Sequence, residues 1–165
     1  MAHQLKIFLD SGRNLVAMDK SGTSDPYVVV ILNGEKKKTS IHYKTLDPIW
    51  KDTLVFAVDN LPPCVTLRIW DKDKYSADDR MGEVVVHLDE MKSGEKTPKQ
   101  WYKVVPQRAK DEVSGEILVQ VGCDVEMEEE GKKKKKFKRR GTQTPMKEEE
   151  EGEKEGEKEG EKEGE

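Results

Sequence analysis

Short strand-like runs closed by turn signals constrain this chain more than any other feature. Leu5, Ile7 and Leu9 share one face of an extended segment, with Lys6, Phe8 and Asp10 between them, and a period of two is the mark of a β-strand. Tyr27–Leu32 is a continuous apolar run, the pattern of a strand covered on both sides. Thr53–Val58, Val65–Trp70, Glu83–Leu88, Trp101–Val105 and Glu116–Val121 are further β-rich runs. Asn33-Gly34, Asp47-Pro48, Pro62-Pro63, Ser93-Gly94 and Ser114-Gly115 punctuate them. Seven or eight short strands at regular spacing, with no amphipathic helix, predict an all-β fold: an eight-stranded antiparallel β-sandwich. Asp89–Lys96 leaves room for one short helical turn.

The pattern stops near residue 125. All three Trp, all four Tyr and two of the three Phe precede residue 126. Residues 1–125 are therefore read as one domain, of a size that buries a real core. Residues 126–165 carry net −3 of the chain's −4 and almost nothing apolar. They are expected to be a disordered, charged tail. Lys132–Arg140 places eight cations in nine residues, and Glu-Gly-Glu-Lys repeats fill residues 148–165. The basic run has three readings: a polybasic membrane contact, a nuclear-import signal, or a solvated run that pairs with its acidic flanks within a Debye length of about 8 Å. The tail could also dock a protein partner.

No apolar stretch is long enough for a transmembrane helix, and the first residues lack the apolar core of a signal peptide. Cys64 and Cys123 stand at no metal-ligand spacing and are expected to be reduced thiols that pack as small apolar groups. A cytoplasmic protein is expected. The acidic balance argues against strong nucleic-acid binding. There is no phosphate loop and no nucleophile–base arrangement, so no enzyme is expected.

Five aspartates carry the functional signal. Asp19 and Asp25 stand in Asp19-Lys-Ser-Gly-Thr-Ser-Asp25-Pro26-Tyr27. Asp71, Asp73 and Asp79 stand in Asp71-Lys-Asp73-Lys-Tyr75-Ser76-Ala-Asp78-Asp79-Arg80. Each stretch follows an apolar run, which puts the carboxylates on loops. Like charges gathered in one place need a counter-charge, and a hard cation taking six to eight oxygens, Ca²⁺, fits best. Asp71 and Asp73, two apart at a strand end, point to one face.

Several motifs in order resemble the Ca²⁺-binding C2 domains of synaptotagmins and conventional protein kinase C. They are Asn14-Leu15, Ser24-Asp25-Pro26-Tyr27-Val28, Lys44-Thr45-Leu46-Asp47-Pro48-Ile49-Trp50, Leu67-Arg-Ile-Trp-Asp71-Lys-Asp73, Asp79-Arg-Met-Gly82, Trp101-Tyr102 and Gly115-Glu116-Ile117. The resemblance covers roughly residues 3–125. It implies that Asp19 and Asp25 on a first loop and Asp71, Asp73 and Asp79 on a third hold two or three Ca²⁺. Ser76 is implied as an auxiliary ligand, and the carbonyls of Met18 and Lys72 complete the shell. Asp78 is extra and is expected to face solvent. A single strand before Asp19 favours the permuted, type II C2 topology, whose extra strand lies at the C-terminal end, around Gly115–Val125.

The function implied is Ca²⁺-dependent binding to anionic phospholipid membranes, with phosphatidylserine foremost. Lys20, Lys72, Lys74 and Arg80 flank the ligands and Tyr75 suits the headgroup level, so shallow, salt-sensitive binding is expected. Lys36 and Lys38, with Lys44, occupy the region that forms a phosphoinositide groove in protein kinase C-like members. Val28-Val29-Val30 lacks the lysine those members place beside it, and solvated lysines near a hairpin are the competing reading. Two rivals stand beside the membrane reading: a protein-interaction adaptor, and a Ca²⁺-responsive nuclear factor acting through Lys132–Arg140.

Overall fold

The computed structural model describes residues 2–127. The calls on the basic run, the acidic repeats and tail disorder lie outside the described residues. Eight strands follow one another: β1 (His3–Arg13), β2 (Pro26–Leu32), β3 (Glu35–Lys38), β4 (Ile49–Val58), β5 (Cys64–Asp71), β6 (Asp79–His87), β7 (Gln100–Lys103) and β8 (Glu116–Cys123). They form two four-stranded sheets, ordered β4-β1-β8-β7 and β3-β2-β5-β6, and every strand pair is antiparallel.

The alternation in β1 does what its spacing requires. Leu5, Ile7 and Leu9 enter the core between the sheets, where Val28 and Val30 of β2, Leu67 and Ile69 of β5, and Ile117, Val119 and Val121 of β8 meet them. β8 pairs with β1 and β7, so the final strand closes the sheet next to the first one, as the permuted order demands. Gly115 makes the approach to β8 possible. It sits at φ +93°, and a Cβ there would lie 2.5 Å from the Arg13 and Asn14 carbonyl oxygens. Register shifts between Leu9 and Ser11 against both neighbours. Asp10, beside this bulge, keeps the outer face it shares with Lys6 and Phe8, where Lys99 (2.9 Å) and Lys51 (3.4 Å) pair with its buried carboxylate.

Two expectations change. Tyr27–Val30 is buried as expected, but Ile31 lies exposed because the outer face of β2 opens toward its end. Asp89–Lys96 forms no helix. Asp89 and Glu90 both take left-handed φ (35° and 61°) and Gly94 sits at φ +90°, so two tight turns replace a helical one. β3, which the separate runs do not include, is a short lysine-rich edge strand, a composition that discourages edge-to-edge pairing.

Candidate metal centre

Three loops meet at the end of the sandwich reached by the C-terminal ends of β1 and β5. The first, residues 14–25, leaves β1 and enters β2. Gly22, at φ +90°, lets its amide reach back to the Asp19 carbonyl (3.0 Å), while the Asp19 amide donates to Thr23 O (3.0 Å). Ser24, fully buried, braces the loop from inside: its hydroxyl donates to Val16 O and accepts from Met18 N, both at 2.8 Å. The second loop, residues 39–48, is stitched to the first through Thr45 N to Ser24 O (2.9 Å) and to the start of β2 through His42 N to Pro26 O (3.2 Å).

These braces gather the carboxylates. Oxygens of Asp19, Asp25 and Asp71 lie within 4.8 Å of one another. Asp71 Oδ1 accepts the Asp25 amide (2.7 Å), Asp25 Oδ1 accepts the Lys44 amide (2.7 Å), and the Lys72 amide donates to the Asp25 carbonyl (3.0 Å). Asp71 is 1% exposed, yet its Oδ2 has no hydrogen-bond partner. A buried, unpartnered carboxylate oxygen is costly. Burial, and then the charges of Asp19, Asp25 and Asp79, push the Asp71 carboxyl up to about 6. The Asp71 carboxylate thus lies among other carboxylates. That donor set suits a hard cation coordinated at 2.3–2.6 Å.

Asp79 and Asp73 stand differently. Asp79 opens β6 directly opposite Asp71 and adds its charge to the cluster. Asp73 is engaged with its own loop: its carboxylate accepts from Tyr75 N (3.0 Å) and from Ser76, and these hydrogen bonds hold it below the usual carboxylate range. Asp78 does not face solvent as expected. It is half-buried, accepting the Tyr27 hydroxyl through Oδ2 and the Asp73 amide (2.9 Å) through Oδ1. The residue that reads as surplus in the sequence is the pin that fastens the third loop, residues 72–78, to β2.

Lys20, Lys72, Lys74 and Tyr75 are exposed on these loops, Tyr75 at 88%. Arg80 is drawn aside by Asp111, whose carboxylate accepts from Nε (2.9 Å) and Nη2 (2.8 Å). Lys44 falls with the aspartate loops, whereas Lys36 and Lys38 stay on β3. Lys36 borders a groove of about 630 Å³ on the outer sheet face, lined also by Tyr27, Val29, Ile31, Arg68 and Trp70. Tyr43, beside Lys44 on the second loop and 65% exposed, is absent from the sequence reading. Its only signal was its place three residues before the Leu46-Asp47-Pro48 turn.

The family model for the C2 domain matches residues 3–104. This chain belongs to the C2 domain family. A probable serine/threonine-protein kinase of Dictyostelium discoideum is 38% identical over 123 residues, 73% of this chain and 12% of that one. Protein C2-DOMAIN ABA-RELATED 11 of Arabidopsis thaliana is 36% identical over 84 residues, 51% of this chain and 50% of that one. The chain thus spans an eighth to a half of these relatives' lengths. Among solved structures, the C2A domain of plant Extended Synaptotagmin 1 superposes with a TM-score of 0.60 at 22% identity, over 76% of this chain and 96% of that one. At that identity the likeness speaks for the fold. No helix among the described residues is long and apolar enough to cross a membrane.

Proposed function

We propose that this C2 domain is a Ca²⁺-gated latch for anionic phospholipid membranes. The observation that carries the reading is Asp71: a buried carboxylate with one oxygen left without a hydrogen-bond partner, in a cluster where oxygens of Asp19, Asp25 and Asp71 lie within 4.8 Å of one another. Asp19, Asp25, Asp71 and Asp79 would hold Ca²⁺, joined by Asp73 once it leaves its bonds to Tyr75 and Ser76. The ion supplies positive charge where the fold has concentrated negative charge.

The residues around the centre do the rest. With the carboxylates neutralised, Lys20, Lys72 and Lys74 face the bilayer without competing anions, each contributing about 1 kcal/mol near an anionic surface. Tyr43 and Tyr75 stand exposed on two different loops, and aromatic side chains of this kind settle at the headgroup level. Arg80 is held by Asp111 and contributes less than the three lysines. Because β1 and β5 anchor the loops at their strand ends, ion binding tightens loops without reshaping the sandwich.

Calorimetric titration with Ca²⁺ tests the metal half of the proposal. Heat of binding in the wild type and none in Asp71→Asn supports it; equal binding by the variant removes Asp71 from the site and defeats it.

A further inference from the structure

A second cluster of metal-binding side chains sits at the other end of β1, away from the aspartate loops. His3 opens β1, Cys123 ends β8 and Asp124 follows it. These positions are about 120 residues apart in sequence, but the antiparallel register pairs Leu5 with Cys123 and brings them together. A nitrogen, a sulfur and an oxygen from the three lie within 4.8 Å of one another.

The geometry is built around one oxygen. Asp124 Oδ1 is tied down by the Gln4 amide (2.7 Å). Oδ2 is left facing three side chains: His3 Nδ1 at 2.8 Å, Ser93 Oγ at 2.7 Å and Cys123 Sγ at 3.6 Å. The backbone fixes the same groups. The Asp124 amide donates to Gln4 O (2.8 Å), the Cys123 amide to Glu95 O (2.9 Å) and the Gly94 amide to Cys123 O (2.7 Å). Carboxylates that ligate a metal are themselves held by hydrogen bonds, as the Gln4 amide holds Asp124.

We infer that His3, Cys123 and Asp124 form a site for a thiophilic divalent cation of the Zn²⁺ class, distinct from the aspartate-loop centre. A tetrahedral ion with bonds of 2.0–2.3 Å needs donors about 3.3–3.8 Å apart. The Cys123–Asp124 pair already meets this at 3.6 Å, and the His3–Asp124 pair opens by about half an ångström to do so. Ser93 or a water fills the fourth position. A thiolate and an imidazole select against Ca²⁺ and Mg²⁺, which take oxygen. Binding replaces the Cys123 thiol proton, which leaves to solvent, and the Nδ1–carboxylate contact. The ion clips the start of the first strand to the end of the last.

Co²⁺, a spectroscopic stand-in for Zn²⁺, tests this on the full chain with Ca²⁺ in excess. The wild type is expected to bind one equivalent with a sulfur-to-cobalt charge-transfer band and tetrahedral visible bands, both erased by Zn²⁺. Cys64→Ser is expected to keep them; Cys123→Ser and His3→Ala are expected to lose them. Should Cys123→Ser fail to fold, His3→Ala, altered at a partly exposed strand end, still decides. No thiolate band in the wild type, a band that survives His3→Ala, or one lost in Cys64→Ser would overturn the assignment.

Discussion

Replacing Asp71 by Asn removes one charge from the buried centre of the aspartate cluster and leaves its shape. Oδ1 goes on accepting the Asp25 amide, and an NH₂ group takes the place of the unpartnered oxygen, within a cluster that holds the carboxylates of Asp19 and Asp25. The size of the relief follows from the carboxyl, raised from 3.8 to about 6 by burial and then by its neighbours' charges. Keeping it ionised at neutral pH costs about 3 kcal/mol. The sign is fixed by linkage: a folded pKa above the unfolded one gives stability that is complete below about pH 4 and lost as pH rises through about 6. In EGTA at pH 7.5 the variant should therefore be more stable than the wild type by about 1–3 kcal/mol, the lower bound allowing for loop relaxation. Near pH 4 the two should converge. Ca²⁺ at about a thousandfold its Kd should reverse the order, since it then adds about 4.1 kcal/mol to the wild type alone. Urea denaturation followed by Trp fluorescence, repeated across pH in EGTA and then in Ca²⁺, reads all three. A variant less stable in EGTA at pH 7.5, or an advantage of equal size at pH 4, refutes the reasoning.

Ser24→Ala removes a buried hydroxyl that makes two hydrogen bonds and orphans the Met18 amide; unfolding free energy should fall by about 1–3 kcal/mol, with weaker Ca²⁺ binding measured by calorimetry. Asp78→Ala touches none of Asp19, Asp25 and Asp71 but frees the third loop from Tyr27 and the Asp73 amide. It should weaken Ca²⁺ affinity several-fold, whereas an unchanged titration would make Asp78 idle. Tyr43→Ala and Tyr75→Ala should each reduce liposome binding in Ca²⁺ without altering Ca²⁺ affinity. Binding in Ca²⁺ should also fall steeply between low salt and 0.5 M salt, as screened surface charges require.

Much of the fold was legible because its signals are local. Strand alternation at Leu5, Ile7 and Leu9 needs only a period of two, and the Asn33-Gly34 turn places the β2–β3 hairpin where it falls. The aspartates were legible because their type and spacing, taken with the family motifs, name a chemistry. What the sequence withheld depends on the third dimension. Asp78 looked surplus because its partner, Tyr27, comes from a strand 51 residues away. Arg80 looked like a free cation because its partner, Asp111, lies 31 residues away. Asp73 looked equivalent to Asp71, but its neighbours Tyr75 and Ser76 hold its carboxylate against its own loop. The helical turn at Asp89–Lys96 failed because Asp89 and Glu90 take left-handed φ, a local choice that side-chain pattern does not encode. His3 and Cys123 are joined only by the register of the first and last strands.

The most direct test of the account is co-sedimentation with phosphatidylserine-containing liposomes, in Ca²⁺ and in EGTA, comparing the wild type with an Asp71→Asn/Asp73→Asn double variant. The account predicts that the wild type pellets only in Ca²⁺ and the double variant in neither condition. Equal pelleting of the wild type in EGTA, or pelleting of the double variant in Ca²⁺, would contradict it.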